Sequence, residues 1–138
     1  MTAIPDKLKK FTQHGVHFQE IAKTWSLGTC PFCGKAKHFA ANQDTGGFKC
    51  HRCGRAGSFG HFLDLRCEQY RAWMTDDVAQ VLAKHRSLSV KTLRRWGVGY
   101  DPLTRTYVVP MRKGDHVVNV HRYVPDSKET FSTATVSP

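Results

Sequence analysis

Two closely spaced cysteine pairs, Cys30-Pro-Phe-Cys33 and Cys50-His-Arg-Cys53, constrain this chain more than any other feature. The spacing is C-x2-C-x16-C-x2-C, and a glycine follows each pair, Gly34 and Gly54. Thiolates two residues apart converge on one ion when a tight knuckle lies between them, and the glycine supplies the positive φ that the knuckle needs. Two knuckles at the tips of two hairpins close a tetrahedral shell of four thiolates. The expected metal is a structural Zn2+ bound by Cys30, Cys33, Cys50 and Cys53. Four thiolates leave no open position for water, which argues against catalysis at the metal; redox use of the two pairs is the competing chemistry.

The expected fold class is α+β: a four-cysteine zinc ribbon with a small antiparallel sheet and flanking helices, followed by a small helix-plus-strand-pair segment. Residues 1–70 are read as the ribbon domain, 71–87 as a helical linker and 88–138 as a second segment. A short basic amphipathic helix is predicted over 1–15, with Ile4, Leu8 and Phe11 on one stripe and Gly15 ending it. Its Lys7, Lys9 and Lys10 either flank the ribbon or touch a polyanion. His14 and His17 have no thiol or carboxylate partner at ligand spacing. The ribbon itself is expected to hold three or so strands, with Trp25 and Leu27 leading to the first knuckle. His38–Asn42 should form another strand, Asp44–Gly47 a turn, and Phe48-Lys49 the approach to the second knuckle. So small a sheet cannot stabilise itself by burial alone, so metal binding supplies folding energy.

Beyond Cys53, Ser58 is a candidate cap for a helix over Phe59–Tyr70, in which Cys67 reads as a small core residue. A second helix is predicted over Asp76–Lys84, and a third, capped by Ser89, over Val90–Trp96 with its stop at Gly97. Strands at Thr106–Pro110 and His116–Tyr123 follow, joined by the basic turn Arg112-Lys113-Gly114. No periodic pattern continues after Asp126.

The 138-residue chain has a formal charge of +10, and still about +8 if the four thiolates hold a divalent ion. A small chain this basic is suited to a polyanion, nucleic acid above all. Five cysteines, four of them at metal spacing, argue against a disulfide framework and for a reducing compartment. Met1–Lys10 lacks an apolar leader and no run is long enough to span a bilayer, so the expected location is cytoplasmic, with no membrane partner. Lys35, Lys37, Lys49, Arg52 and Arg55 lie on or beside the knuckles, interleaved with Phe39 and Phe48, and Trp25 is expected nearby. Cations that track phosphates and aromatic faces that stack bases are the two components of single-strand binding. Phe39 and Phe48 could equally fill the ribbon's thin core. Arg94, Arg95, Arg105, Arg112, Lys113 and Arg122 form a second basic set. Asp101, Asp115, Asp126 and Glu129 are scattered at turns, unlike the acids that hold metal in nucleotide polymerisation, and no G-x-x-x-x-G-K-[ST] loop occurs.

Cys30-Pro-Phe-Cys33-Gly34, Lys37-His-Phe39, Phe48-Lys-Cys50-His-Arg-Cys53-Gly54 and Gly57-Ser-Phe-Gly-His-Phe62-Leu63 together resemble the zinc-binding domain of bacterial and phage DNA primases, of the primase-helicase type. Leu88-Ser-Val-Lys-Thr-Leu-Arg-Arg-Trp-Gly97-Val-Gly99-Tyr100 resembles the segment that opens that family's RNA-polymerase domain. The strand pair from Arg105 to Tyr123 resembles its continuation. The resemblance implies that the ribbon selects a single-stranded DNA template, while a Toprim fold, with Mg2+, supplies the acids for primer synthesis. It also implies that Arg122 and Lys128 face template or nucleotide. The matched stretches stop before any Toprim motif. The chain is therefore expected to be a piece of a longer primase or primase-helicase, or a short protein working with a Toprim subunit and a replicative helicase. Its expected role is a template-binding module of the primosome in DNA replication, without catalytic residues of its own. The rivals are a non-catalytic zinc-ribbon regulator or adaptor on nucleic acid, and a protein–protein contact module whose charge confers solubility.

Overall fold

A computed structural model of the protein describes residues 4–125. Lys128 and the rest of the sequence after Pro125 lie outside the described residues. The fold is α+β and divides into two compact units, Met1–Phe62 and Leu63–Pro138.

The first unit opens with α1 (Asp6–Thr12), which buries Leu8 and Phe11. Pro5 precedes it with φ −57°, which suits a helix start. Gly15 at φ 89° ends the turn after it, as the sequence suggests, although the helix proper is shorter than the stretch 1–15. A meander of five antiparallel strands follows: β1 (His17–Glu20), β2 (Trp25–Thr29), β3 (Phe39–Asn42), β4 (Phe48–Cys50) and β5 (Ala56–Gly57), in that spatial order. The two strands beyond the expected three are the edges. β1 carries no clean alternation because its register against β2 slips between Phe18 and Glu20. β5 is two residues long.

One face of this sheet packs on a cluster of aromatic rings. Phe62, in the first turns of α2 (Phe59–Trp73), is its hub. The Phe62 ring lies 4.9 Å from Phe11, 5.5 Å from Phe48, 5.7 Å from Phe32 and Phe59, and 5.8 Å from Phe39. Edge-to-face and stacked ring pairs of this kind add about 0.5–1.5 kcal/mol each beyond the area they bury. Ser58 caps the helix as its sequence position suggests, its Oγ accepting from His61 N at 3.2 Å.

The second unit contains most of α2, then α3 (Asp76–Arg86), α4 (Val90–Arg95) and a sheet of β6 (Gly99–Asp101), β7 (Thr106–Lys113) and β8 (His116–Tyr123). Thr75 caps α3 and Ser89 caps α4, each accepting from the backbone N–H three residues on. Gly97, at φ 77°, follows the end of α4. Residues 71–87, read from sequence as a linker, contain the end of α2 and α3, and contribute Met74, Ala79, Leu82 and Ala83 to a core completed by Leu93, Val98, Tyr107 and Tyr123. β6 is the strand the sequence reading leaves out. It pairs Tyr100 with Tyr107 and comes so close to α2 that a Cβ on Gly99 would lie 2.4 Å from the Tyr70 carbonyl carbon. Gly99→Ala should therefore cost about 1–3 kcal/mol by overpacking, read as a lower urea midpoint with unchanged slope. Cys67 is a buried core residue as expected; burial pushes its thiol up to about 11.

Buried within this unit is an ion pair. Arg122 Nη1 donates to Asp101 Oδ2 at 3.0 Å, to Thr106 Oγ1 at 2.9 Å and to Thr104 Oγ1 at 3.2 Å. Its Nη2 reaches the Tyr70 hydroxyl at 3.3 Å. The Arg122 and Asp101 side chains are only 7% and 6% exposed. The expectation that Arg122 faces template or nucleotide is thus corrected, because internal partners surround its guanidinium.

Candidate metal centre and nucleic-acid interface

The two knuckles are built alike. In the first, Gly34 N donates to Cys30 O at 2.8 Å and Cys30 N to Lys35 O at 3.1 Å. In the second, Gly54 N donates to Cys50 O at 3.0 Å and Cys50 N to Arg55 O at 2.8 Å. Gly34 and Gly54 sit at φ 79° and 81° with open space where a Cβ would be, so backbone conformation alone selects glycine there. Each knuckle turns amides toward sulfur: Phe32 N lies 3.4 Å from Cys30 Sγ, and Arg52 N and Cys53 N each 3.4 Å from Cys50 Sγ.

The four Sγ atoms all lie within 4.8 Å of one another. Across the knuckles Cys30 Sγ lies 3.8 Å from Cys53 Sγ, and Cys33 Sγ 3.7 Å from Cys50 Sγ. A tetrahedral ion with metal–sulfur bonds of about 2.3 Å separates its sulfurs by about 3.8 Å, so the residues fit such an ion. Among the described residues this is the only group of three or more His, Cys, Asp or Glu side chains placed to share a metal. The thiols are not equivalent. Burial pushes Cys30 far above its ordinary range. At Cys53 burial pushes the same way, but hydrogen bonds from Arg55, Cys50 and Cys30 outweigh it and hold the thiol down at about 6. His51 is exposed between its two cysteines and stands outside the thiolate group.

Around this centre Lys35, Lys37, Lys49, Arg52 and Arg55 are all exposed. Lys37 takes φ 62° and its N–H donates to Gln19 Oε1 at 3.1 Å, which fixes the loop before β3. Arg55 lies 5.4 Å over the Phe32 ring. Phe39 and Phe48 are corrected: they are 0% and 2% exposed, with ring centroids 5.6 Å apart inside the aromatic core. They support the sheet from within and present no face to a base.

The exposed aromatic of the sheet is Trp25, at 43% exposure. Register places it. Leu27 is opposite Ala40, and Ala40 is opposite Lys49, so these three share a face with Trp25, two residues before Leu27. That face looks away from Phe39, Phe48 and Cys50. The sequence reading places Trp25 near the basic set without assigning it a face; alternation counted back from the knuckle puts it outside.

In the second unit Arg95, Arg112 and Lys113 are exposed. Arg94 is partly committed, its Nη2 donating to Asp76 Oδ1 at 2.6 Å and to Met74 O at 3.1 Å. Lys10 of α1 lies 4.5 Å over the Phe59 ring, and Lys9 pairs with Asp6 at 3.0 Å, so both act within the first unit. No helix among the described residues is long and apolar enough to cross a membrane. The sequence matches no protein-family model and no curated protein.

Proposed function

We propose that the four-cysteine centre holds Zn2+ and that the ribbon around it is a single-stranded DNA-binding module of the primase type. Soft thiolates in a closed tetrahedral set suit zinc over the hard ions Mg2+ and Ca2+. The observation that carries the DNA reading is one small sheet with exposed Trp25 and Lys49 on the face opposite its aromatic core, and with Lys35, Arg52 and Arg55 displayed on and beside the knuckles. An aromatic platform beside phosphate-tracking cations is the arrangement that single strands need. In this reading Zn2+ contributes only the frame. Primer synthesis draws its Mg2+ and catalytic acids from a Toprim domain, in a longer chain or on a partner, with a replicative helicase as the further partner and the cytoplasm of a bacterial or phage-infected cell as the setting.

Fluorescence anisotropy on a labelled single-stranded oligonucleotide tests the module directly. Binding should weaken as salt rises, and Trp25→Ala should remove about 1–3 kcal/mol, roughly 5- to 150-fold in affinity. Affinity unmoved by Trp25→Ala and Lys49→Glu together would overturn the assignment of this face. Primer synthesis from ribonucleotides, with and without a Toprim partner, then separates a primase module from a regulator or adaptor. Failure in every combination favours the latter.

A further inference from the structure

The second unit contains an open groove of about 440 Å³ that the DNA reading does not use. Its apolar lining is Leu82, Leu88, Leu93, Val98, Val109 and Tyr123, all part of this unit's core or packed against it. Trp96 stands at its lip, 53% exposed. The polar lining is cationic or neutral: Arg86, whose guanidinium lies 5.5 Å over the Tyr123 ring, His121, and Arg122, already paired with Asp101. Among the described residues no carboxylate lines the groove.

A volume in this range suits a ligand with an apolar body. The lining chemistry narrows it further. An apolar lining with an exposed tryptophan favours a hydrophobic anchor, and Arg86, with no opposing acid among the described residues, favours negative charge beside that anchor. A nucleobase fits less well, because its polar edges would meet mostly leucine and valine, with few polar partners among the lining residues. We infer that this groove takes a peptide segment of a partner protein in which an aromatic or aliphatic anchor is flanked by carboxylates. Trp96 would cover the anchor and Arg86 would face the acids.

The test is calorimetric titration of the full chain with an acidic ten-residue peptide carrying one phenylalanine. Two control peptides accompany it, one with Phe→Ala and one with every acid changed to its amide, together with an oligothymidylate. The acidic peptide should bind, each control peptide should lose at least tenfold in affinity, and Trp96→Ala or Arg86→Gln should lose a similar factor while circular dichroism stays unchanged. Absence of binding, or binding indifferent to both substitutions, would overturn the inference. Displacement of the peptide by oligothymidylate in a manner that needs Trp96 would make the groove a base site instead. Self-association in sedimentation that Trp96→Ala abolishes would make its occupant a second copy.

Discussion

Replacing Cys50 with serine should leave the first unit unfolded, with no bound metal and no dispersed amide resonances from residues 4–62. The expectation rests on how little else holds this unit. Its strands are two to five residues long, too short to fold as an isolated sheet. Its core is one aromatic cluster on one face, and Cys50 sits directly opposite Phe39 in the β3–β4 register. Structural zinc supplies about 10–16 kcal/mol in small domains of this kind, more than a unit of this size gains from burial alone, and losing one of four ligands forfeits most of it. A strong chelator should produce the same collapse in the unsubstituted protein. Cys67→Ser, in the other unit, should keep the metal. Finding Cys50→Ser folded and metal-free would mean that the aromatic core suffices, and the metal would lose its role as frame.

The second large effect belongs to the buried ion pair. Asp101→Ala should destabilise the second unit by about 3–5 kcal/mol, because Arg122 would remain charged and buried, with neutral partners such as Thr104, Thr106 and Tyr70 in place of its carboxylate. Urea unfolding followed by tyrosine and tryptophan signals from this unit measures it. Replacing both partners at once, Asp101→Leu with Arg122→Met, should recover much of the loss, since two matched apolar groups leave no orphaned charge. The pair of results also tests the placement of Arg122. A template-contacting arginine would lose DNA affinity on substitution while stability stayed constant; the buried geometry demands the opposite.

The ribbon was legible because its constraints are local. Cysteine spacing and the two knuckle glycines determine the geometry at Cys30–Gly34 and Cys50–Gly54, and Ser58, Ser89 and Gly97 mark helix ends by chemistry confined to one turn. What escaped was long-range. β6 is made by its pairing with β7 and its close approach to Tyr70, not by any pattern in Gly99–Asp101. Arg122 looks like every other arginine in the sequence until Asp101 and Tyr70 are brought around it. Phe39 and Phe48 are a different lesson, for their side was readable. Phe48 stands two residues before Cys50 on the same strand and so shares its face, and a residue sharing the face of an inward metal ligand belongs to the core. Counted back from Cys30, the same parity puts Trp25 and Leu27 on the opposite face. Strand alternation alone therefore exchanges the aromatics, Phe48 inside and Trp25 outside.

In the proposed DNA-binding reading, the knuckle geometry also bears on how many phosphates the ribbon would neutralise. Four thiolates on a divalent ion would leave about two negative charges at the tip of the sheet, and the neighbouring Cys53 thiol already pulls on the Arg55 guanidinium and raises its pKa. Part of the surrounding cationic charge is therefore spent on the cluster itself. For single strands the slope of log affinity against log salt is about −0.7 per phosphate neutralised, so the measured slope should correspond to fewer contacts than the exposed lysines and arginines around the centre. Arg55→Gln should then change that slope less than Lys49→Gln does, although Arg55 stands closer to the metal.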